Sequence, residues 1–146
     1  MATLAEVARR FRSDMPLISE AIETIATPQV REMATVGGNL LQEKRCWFYR
    51  SGFSCYKRVG GLAPCYAVQG DHRFYHAAID GHRCQATTPS DLATVFAALD
   101  AEVIMASARG ERRISIHSLY SGPGETVVGP DEIVRAVVIP AGATQR

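Results

Sequence analysis

The sequence lacks the features that mark several large classes of protein. No apolar run approaches the roughly 20 residues that a helix needs to cross a bilayer, so an integral membrane protein is not expected. The formal net charge is only +1, which gives no general attraction to nucleic acid or to anionic membranes. The N-terminus does not resemble a secretory signal, and we therefore expect a reducing compartment and free thiols rather than disulfides.

The cysteines also lack the C-x-x-C pair that usually marks a zinc finger or a thioredoxin-type redox site. They lie within residues 45–88 and are separated by eight, nine and eighteen residues: Cys46, Cys55, Cys65 and Cys84. This segment is poor in Leu, Ile and Val, so it cannot order itself by burying aliphatic side chains. Four thiolates converging from such a segment can hold an iron–sulfur cluster. A zinc site and four unrelated cysteines remain open as alternatives.

A chain of 146 residues that is 47% hydrophobic is long enough for one domain with a core. Its first third is predicted to be helical, because apolar residues recur at helical spacing after three capping signals. Thr3 caps the first helix, Ser13 or Asp14 caps the second, and Thr27 caps a third that runs to Met33.

The stretch Ala34–Asn39 (ATVGGN) interrupts this helical pattern with paired glycines. It predicts a loop in which successive N–H groups form an anion-binding concavity, with Thr35 and Asn39 as additional donors. An ordinary tight turn is the alternative. Further on, Thr88 is the predicted N-cap of another helix, with Pro89 and Asp91 in its first turn.

After that helix the hydrophobic period changes to two, which is typical of strands. Three strands are predicted, at Ala101–Ala106, Arg112–Ile116 and Ile133–Ile139, with turns at Arg109-Gly110 and at 121–124. Helices followed by strands favour an α+β fold with an antiparallel sheet. The histidines show no spacing suited to a nucleophile pair or a metal site, so they are assigned no catalytic role: His72, His76, His82 and His117.

Several of these motifs together resemble a known family. Residues 25–42, followed by Arg45-Cys46 and by Thr88–Ala93 (TPSDLA), are similar to the flavin-binding medium subunit of the molybdenum hydroxylases, the xanthine dehydrogenase family. The four-cysteine insertion resembles the branch that contains the 4-hydroxybenzoyl-CoA reductase β subunit and the flavoprotein subunit of periplasmic aldehyde oxidoreductase. The resemblance implies the second subdomain of a PCMH-type (vanillyl-alcohol-oxidase-like) FAD-binding domain.

The resemblance also implies two cofactors and the residues that hold them. FAD is expected to contact Ala34, Thr35, Gly37, Gly38, Asn39, Leu41, Asp91 and Val134, with Ile133 less certain. A [4Fe–4S] cluster is expected on Cys46, Cys55, Cys65 and Cys84. Residues 1–44 and 88–146 would form the FAD-binding subdomain, and residues 45–87 the iron–sulfur insertion.

The implied function is electron transfer within a heteromeric oxidoreductase. The expected partners are a molybdopterin-binding large subunit and a [2Fe–2S] small subunit, in the cytoplasm, or in the periplasm if a partner carries the export signal. Members of the family are about twice as long and begin with a glycine-rich A-G-G-T-like loop that has no counterpart here, so a fragment is expected. The alternative is a non-catalytic remnant or interaction module stapled by zinc or an iron–sulfur cluster.

Overall fold

The computed structural model describes residues 1–73, 76–79, 81, 83–122 and 124–142. The predicted turn at 121–124, the C-terminal tail and His82 therefore fall partly or wholly outside the described residues. Within them the elements are α1 (Leu4–Phe11), α2 (Pro16–Thr24), α3 (Pro28–Met33), α4 (Val36–Leu40), α5 (Trp47–Arg50), α6 (Tyr56–Val59), α7 (Asp91–Ala98), β1 (Glu102–Ser107), β2 (Gly110–Ser115), a 3-10 helix (Ile116–Ser118), β3 (Tyr120–Gly122), β4 (Glu125–Thr126) and β5 (Ile133–Val138).

Contacts divide the chain into two units. Unit 1 contains Met1–Gln42, Ser90–Leu119 and Val127–Arg146, and unit 2 contains Glu43–Pro89 and Tyr120–Thr126. The cysteine-rich insertion predicted from the sequence thus corresponds to most of unit 2. The short β3–β4 hairpin, which the sequence pattern did not predict, belongs to unit 2 as well.

The first helices of unit 1 begin where the capping signals predict. The Thr3 hydroxyl accepts a hydrogen bond from the N–H of Glu6, and the Glu6 carboxylate accepts one from the N–H of Thr3. Together these two bonds form a capping box. Thr27 caps α3 in the same way through the N–H of Val30. The cap of α2 is different from the prediction: its N-cap is Met15, which makes no side-chain capping bond.

The sheet of unit 1 is antiparallel, as predicted, with the strand order β2-β1-β5. Val103 and Met105 of the central strand β1 are fully buried, and their neighbours along the strand are less so. This alternation is the period of two that the sequence shows. The fully buried aliphatic residues of the helices complete the core of unit 1, among them Leu4, Ile18, Ile22, Leu40 and Leu92.

Two local predictions in unit 1 are wrong. The ATVGGN stretch is not a loop: Val36–Leu40 form α4, and Thr35 is its N-cap, accepting the N–H of Gly38. The next long helix, α7, is capped by Ser90 rather than by Thr88, and it begins at Asp91, so Pro89 lies outside it. In both cases tertiary contacts decide the outcome, as the site geometry below shows.

Unit 2 has a small core of its own. Cys46, Cys84 and Ala86 are buried together, and the rings of Phe48, Tyr49 and Tyr56 pack against them. Two four-residue helices, α5 and α6, each begin immediately after a cysteine. Backbone pairing also joins two segments of this unit, since His76 and Ala86 form an antiparallel bridge.

None of the helices in the described ranges is long and apolar enough to cross a bilayer.

Candidate functional site

A cavity of about 560 Å³ opens in unit 1 between the N-terminal helices and strand β5. Its volume falls within the range of about 300–1,000 Å³ that is typical of small-molecule sites. Apolar side chains of α1 and α7, notably Val7, Phe11 and Phe96, form its inner wall. The cavity is therefore a candidate ligand site on geometric grounds alone.

The predicted FAD contacts divide into two groups around this cavity. Those that line it are Thr35, Gly37, Gly38, Leu41 and Val134, together with Ile133. Those that do not line it are Ala34, Asn39 and Asp91. The structure thus brings residues of the 35–41 segment and the beginning of β5 to one surface, although Leu41 and Val134 are 93 positions apart in the sequence.

Gly37 lies where α4 faces β5. A Cβ placed on Gly37 would lie 3.5 Å from the Cβ of Val134 and 3.6 Å from its backbone oxygen. These are ordinary van der Waals distances, so the space beside Gly37 has room for a methyl group.

The backbone of α4 does not form the anion-binding concavity predicted from the glycine pair. The N–H of Val36 donates to the carbonyl of Ala2 at 3.3 Å, and that of Asn39 donates to the carbonyl of Thr35 at 2.9 Å. The N–H of Gly38 donates to the Thr35 hydroxyl at 3.1 Å. Because these donors are used within the fold, a ligand in the cavity meets mainly the apolar edge of α4.

Asn39 has structural surroundings that the sequence did not indicate, whereas Asp91 lies in the first turn of its helix as predicted. The buried Asn39 side-chain oxygen accepts the Ser90 hydroxyl at 2.8 Å and the N–H of Leu92 at 3.4 Å. Ser90 in turn accepts the N–H of Ala93 at 3.1 Å. This network fixes the start of α7 at Asp91, whose side chain is exposed in the first turn.

An ion pair stands at the end of β5 that borders the cavity. Arg112 donates to both carboxylate oxygens of Glu132, at 2.6 and 2.7 Å, and the N–H of Gly129 donates to the same carboxylate at 2.7 Å. The Arg112 guanidinium, followed by this backbone donor, lowers the pKa of Glu132 to about 2. Glu132 therefore carries a fixed negative charge at the cavity edge at neutral pH.

The four cysteines line a second cavity, which lies within unit 2. Its other lining residues are four aromatic rings, two alanines and three cations, which are Lys44, Lys57 and Arg83. Cys46, Cys55 and Cys84 are buried, Cys65 is partly exposed, and none forms a disulfide. The cavity itself holds about 20 Å³, which is room for about one water molecule.

Electrostatic effects show that the thiols are close neighbours. Burial raises the pKa of Cys84, an N–H from Ala86 lowers it, and the nearby thiols of Cys65 and Cys46 raise it further. Lys44 is only 6% exposed, and burial lowers its pKa; Cys84 is the strongest group acting in the opposite direction. Burial is the largest of these effects on Cys84, so its pKa is raised overall, and the charge of Lys44 acts in the opposite direction.

His76 is a feature of this cavity region to which the sequence reading gave no role. Its Nε2 lies 3.2 Å from the sulfur of Cys46. Histidine spacing carries no signal for such a contact, because the two residues are 30 positions apart. Across the described part of the chain, no three His, Cys, Asp or Glu side chains are grouped as the ligands of one metal ion would be.

Comparison with known proteins agrees with this arrangement. Residues 1–142 match the family described as the FAD binding domain in molybdopterin dehydrogenase. The chain is 37% identical over 138 residues to the aldehyde oxidoreductase FAD-binding subunit PaoB of Escherichia coli, a match that covers 90% of this chain and 43% of that protein. The chain therefore spans less than half the length of this relative.

Two solved structures show the same fold at low identity. The copper- and molybdenum-containing CO dehydrogenase has a TM-score of 0.60 at 19% identity, covering 94% of this chain and 34% of that chain. Quinoline 2-oxidoreductase from Pseudomonas putida has a TM-score of 0.52 at 19% identity, covering 94% and 36%. Because the family match covers residues 1–142, the chain belongs to the family of FAD-binding domains in molybdopterin dehydrogenases.

Proposed function

We propose that this chain is the FAD-binding and [4Fe–4S]-bearing part of an electron-transferring subunit in a molybdopterin-dependent oxidoreductase. The observation that carries the proposal is that four cysteines, spread over 39 positions from Cys46 to Cys84, line a single cavity. FAD, when bound, supplies a carrier that exchanges electrons in ones or in pairs, and a cluster supplies a one-electron carrier. The protein holds them, shields them from water and sets the surrounding charge.

The larger cavity supports the FAD part of the proposal. It lies in a chain of an FAD-binding family, and residues predicted to contact FAD line it on two separate segments, at Thr35–Leu41 and at Ile133-Val134. Its walls are mainly apolar, which suits one face of a flat aromatic ring system. Asn39 and Asp91 serve this site indirectly in the proposal, since Asn39 ties α4 to the start of α7.

The donor set of the smaller cavity supports the cluster. Among the described residues, four sulfurs and no carboxylate line it, and the charges of Lys44, Lys57 and Arg83 would balance the negative charge of thiolates. Four thiolates also suit zinc, which holds sulfur ligands at about 2.3 Å; among the described residues no group of three or more side chains is arranged to hold a metal ion. In a [4Fe–4S] cluster each cysteine binds a different iron atom, so the cysteine sulfurs lie farther apart than the four sulfurs around a single zinc ion.

The exposure of the sulfurs also suits a cluster. Cys46, Cys55 and Cys84 are buried and Cys65 is partly exposed, so a cluster held by them would be shielded from most of the solvent. Because a metal site is rarely preformed in an unfolded chain, cluster binding and folding of this segment would be coupled.

The remaining parts of the proposal concern the assembly. The relative PaoB is named as the FAD-binding subunit of an aldehyde oxidoreductase. By analogy we assign this chain to a heteromeric enzyme with a molybdopterin-binding large subunit and a [2Fe–2S] small subunit. The compartment follows the sequence prediction, which is the cytoplasm, or the periplasm if the complex is exported with a partner.

The cluster is tested on the full chain, isolated without oxygen. A broad absorption band near 400 nm and an EPR signal after reduction are expected. Cys84→Ser should lose both, whereas Ser51→Ala, an exposed serine in the same unit, should keep them. A colourless zinc-loaded protein, or a brown protein whose spectra survive Cys84→Ser, would contradict the proposal.

FAD binding is tested by the quenching of flavin fluorescence. Ile133 is 67% exposed and lines the large cavity, and Ile79 is 82% exposed in unit 2. Ile133→Arg should weaken FAD binding by about tenfold or more, which is about 1.4 kcal/mol, and Ile79→Arg should leave it unchanged. The absence of flavin binding by the wild-type chain, or equal affinities for both variants, would argue against this site.

A further inference from the structure

The contact between His76 and Cys46 is the strongest feature of unit 2 that the proposed function does not use. His76 Nε2 lies 3.2 Å from the Cys46 sulfur. Its other ring nitrogen, Nδ1, is buried, and within the described residues no hydrogen-bond partner reaches it. The two nitrogens of this imidazole therefore differ: Nε2 contacts a sulfur, and Nδ1 contacts no polar group of the described residues.

This difference selects one tautomer of the ring. If Nδ1 carried the proton, a buried N–H would be left without an acceptor, which is among the rarest and costliest arrangements in folded proteins. A proton on Nε2 leaves only an unused lone pair at Nδ1. The geometry thus favours a ring that donates Nε2–H to the sulfur.

The ring is held in this position from two sides. The antiparallel bridge between His76 and Ala86, with the Ala77 N–H donating to the Gln85 carbonyl at 2.7 Å, joins its backbone to the segment that carries Cys84. The rings of Trp47 and Phe48 lie 6.5 and 6.4 Å from its centroid. An imidazole enclosed by aromatic rings and fixed by backbone pairing has little freedom to turn away from the sulfur.

We propose that His76 is a positioning residue that donates a hydrogen bond from Nε2 to the sulfur of Cys46, and that this bond raises the reduction potential of the bound cluster. The inference rests on the proposed function, because it takes Cys46 as a cluster ligand. A hydrogen bond to a ligand sulfur withdraws electron density from it and stabilises the more negative, reduced cluster.

Three variants of the full chain separate donor and packing effects. His76→Gln keeps an N–H donor, and His76→Phe keeps a ring between Trp47 and Phe48 but has no donor. His72→Gln is the control, since His72 is exposed in the same unit and bonds the Gly70 carbonyl. The potential is measured by anaerobic redox titration followed by EPR, and the iron and sulfide content is determined for each protein.

The expected result is a more negative potential for His76→Phe at full iron content, with His76→Gln and His72→Gln close to the wild type. Equal potentials for all four iron-loaded proteins would overturn the role of His76. A wild-type chain without iron would instead overturn the proposed function, so the two failures are distinguishable.

If His76→Phe does not retain its cluster, a second measurement, on the wild-type protein, tests the hydrogen bond between His76 and Cys46. In protein grown with ¹⁵N-labelled histidine, pulsed EPR of the reduced cluster should show a weak nitrogen coupling that disappears in His76→Gln. Absence of this coupling in the wild type would contradict the hydrogen bond.

Discussion

The side-chain oxygen of Asn39 accepts a hydrogen bond from the hydroxyl of Ser90 at 2.8 Å, across 51 positions of sequence. This bond joins the two motifs that the sequence singles out for FAD contact, the glycine pair with its asparagine and the S-D-L helix start. Both residues are buried. The two motifs are therefore hydrogen-bonded to each other within the fold, whether or not a ligand is bound.

Asn39→Ala should destabilise unit 1 markedly. The substitution leaves the buried Ser90 hydroxyl and the Leu92 N–H without their common acceptor, a loss of about 1–3 kcal/mol in unfolding free energy. Urea unfolding monitored by circular dichroism measures it. Thr94→Ala, on the exposed face of the same helix, should change the free energy by less than about 0.5 kcal/mol. Equal effects of the two substitutions would show that the network contributes little.

Alanine substitutions at the two glycines of α4 should affect stability differently. Gly37→Ala places its Cβ at normal contact distance from Val134, so it should be neutral or stabilising by up to about 1 kcal/mol. At Gly38 the Cβ would lie 3.1 Å from the Thr35 hydroxyl oxygen that caps the helix, which offsets the gain. Thermal unfolding of both variants checks the order of stability. A Gly38→Ala variant as stable as Gly37→Ala would contradict this packing.

The same Gly37→Ala variant separates stability from binding. Its added methyl group points toward the contact with Val134 at the cavity wall, so a stable protein with weaker flavin affinity is expected. Titration of FAD fluorescence against both proteins gives the comparison. Unchanged affinity for FAD would indicate that the flavin does not contact this wall of the cavity.

Acid should weaken unit 1 through the Arg112–Glu132 pair. The pKa of Glu132 falls from 4.5 to about 2 in the folded chain, so the folded state binds fewer protons than the unfolded state between these values. The stabilisation is present above about pH 4.5 and is lost as the pH falls toward 2. Glu132→Gln should remove this part of the pH dependence, and Glu20→Gln, on the exposed face of α2, should retain it. Unfolding curves at several pH values test the difference; parallel curves for wild type and Glu132→Gln would contradict it.

Removal of the cluster should loosen unit 2 and spare unit 1. The buried apolar cluster of unit 2 consists of Cys46, Cys84 and Ala86, so iron–sulfur bonds would be its main crosslinks. After treatment with oxygen and a chelator, trypsin should cut earlier at Arg50, Lys57 and Arg58. Mass spectrometry of the fragments follows these sites, and cleavage at Arg9 and Arg10 of α1 serves as the control. Unaltered cleavage in unit 2 would show that metal does not order it.

Local signals in the sequence were sufficient where the structure is locally determined. Thr3 and Thr27 cap α1 and α3 through bonds that span three residues, and β1 shows its alternation directly. The α+β fold with an antiparallel sheet was confirmed on this basis. The family resemblance was confirmed as well, over residues 1–142.

Predictions failed where distant residues decide. Glycine has low helix propensity, yet residues 36–40 are helical because α4 packs against β5 at Val134. Ser90 rather than Thr88 caps α7, because a hydrogen bond to Asn39 holds the Ser90 side chain in place. The Thr88 hydroxyl instead accepts a hydrogen bond from the Lys44 ammonium at 3.2 Å. The contact of His76 with Cys46 has no sequence signal at all.

Native mass spectrometry of the full chain, isolated and sprayed without oxygen, tests the central claim most directly. The account predicts a protein whose mass exceeds that of the polypeptide by one [4Fe–4S] core, and that loses this excess when Cys46, Cys55, Cys65 or Cys84 is replaced by serine. A protein that carries a single zinc ion, or one that carries no metal when prepared in this way, would contradict it.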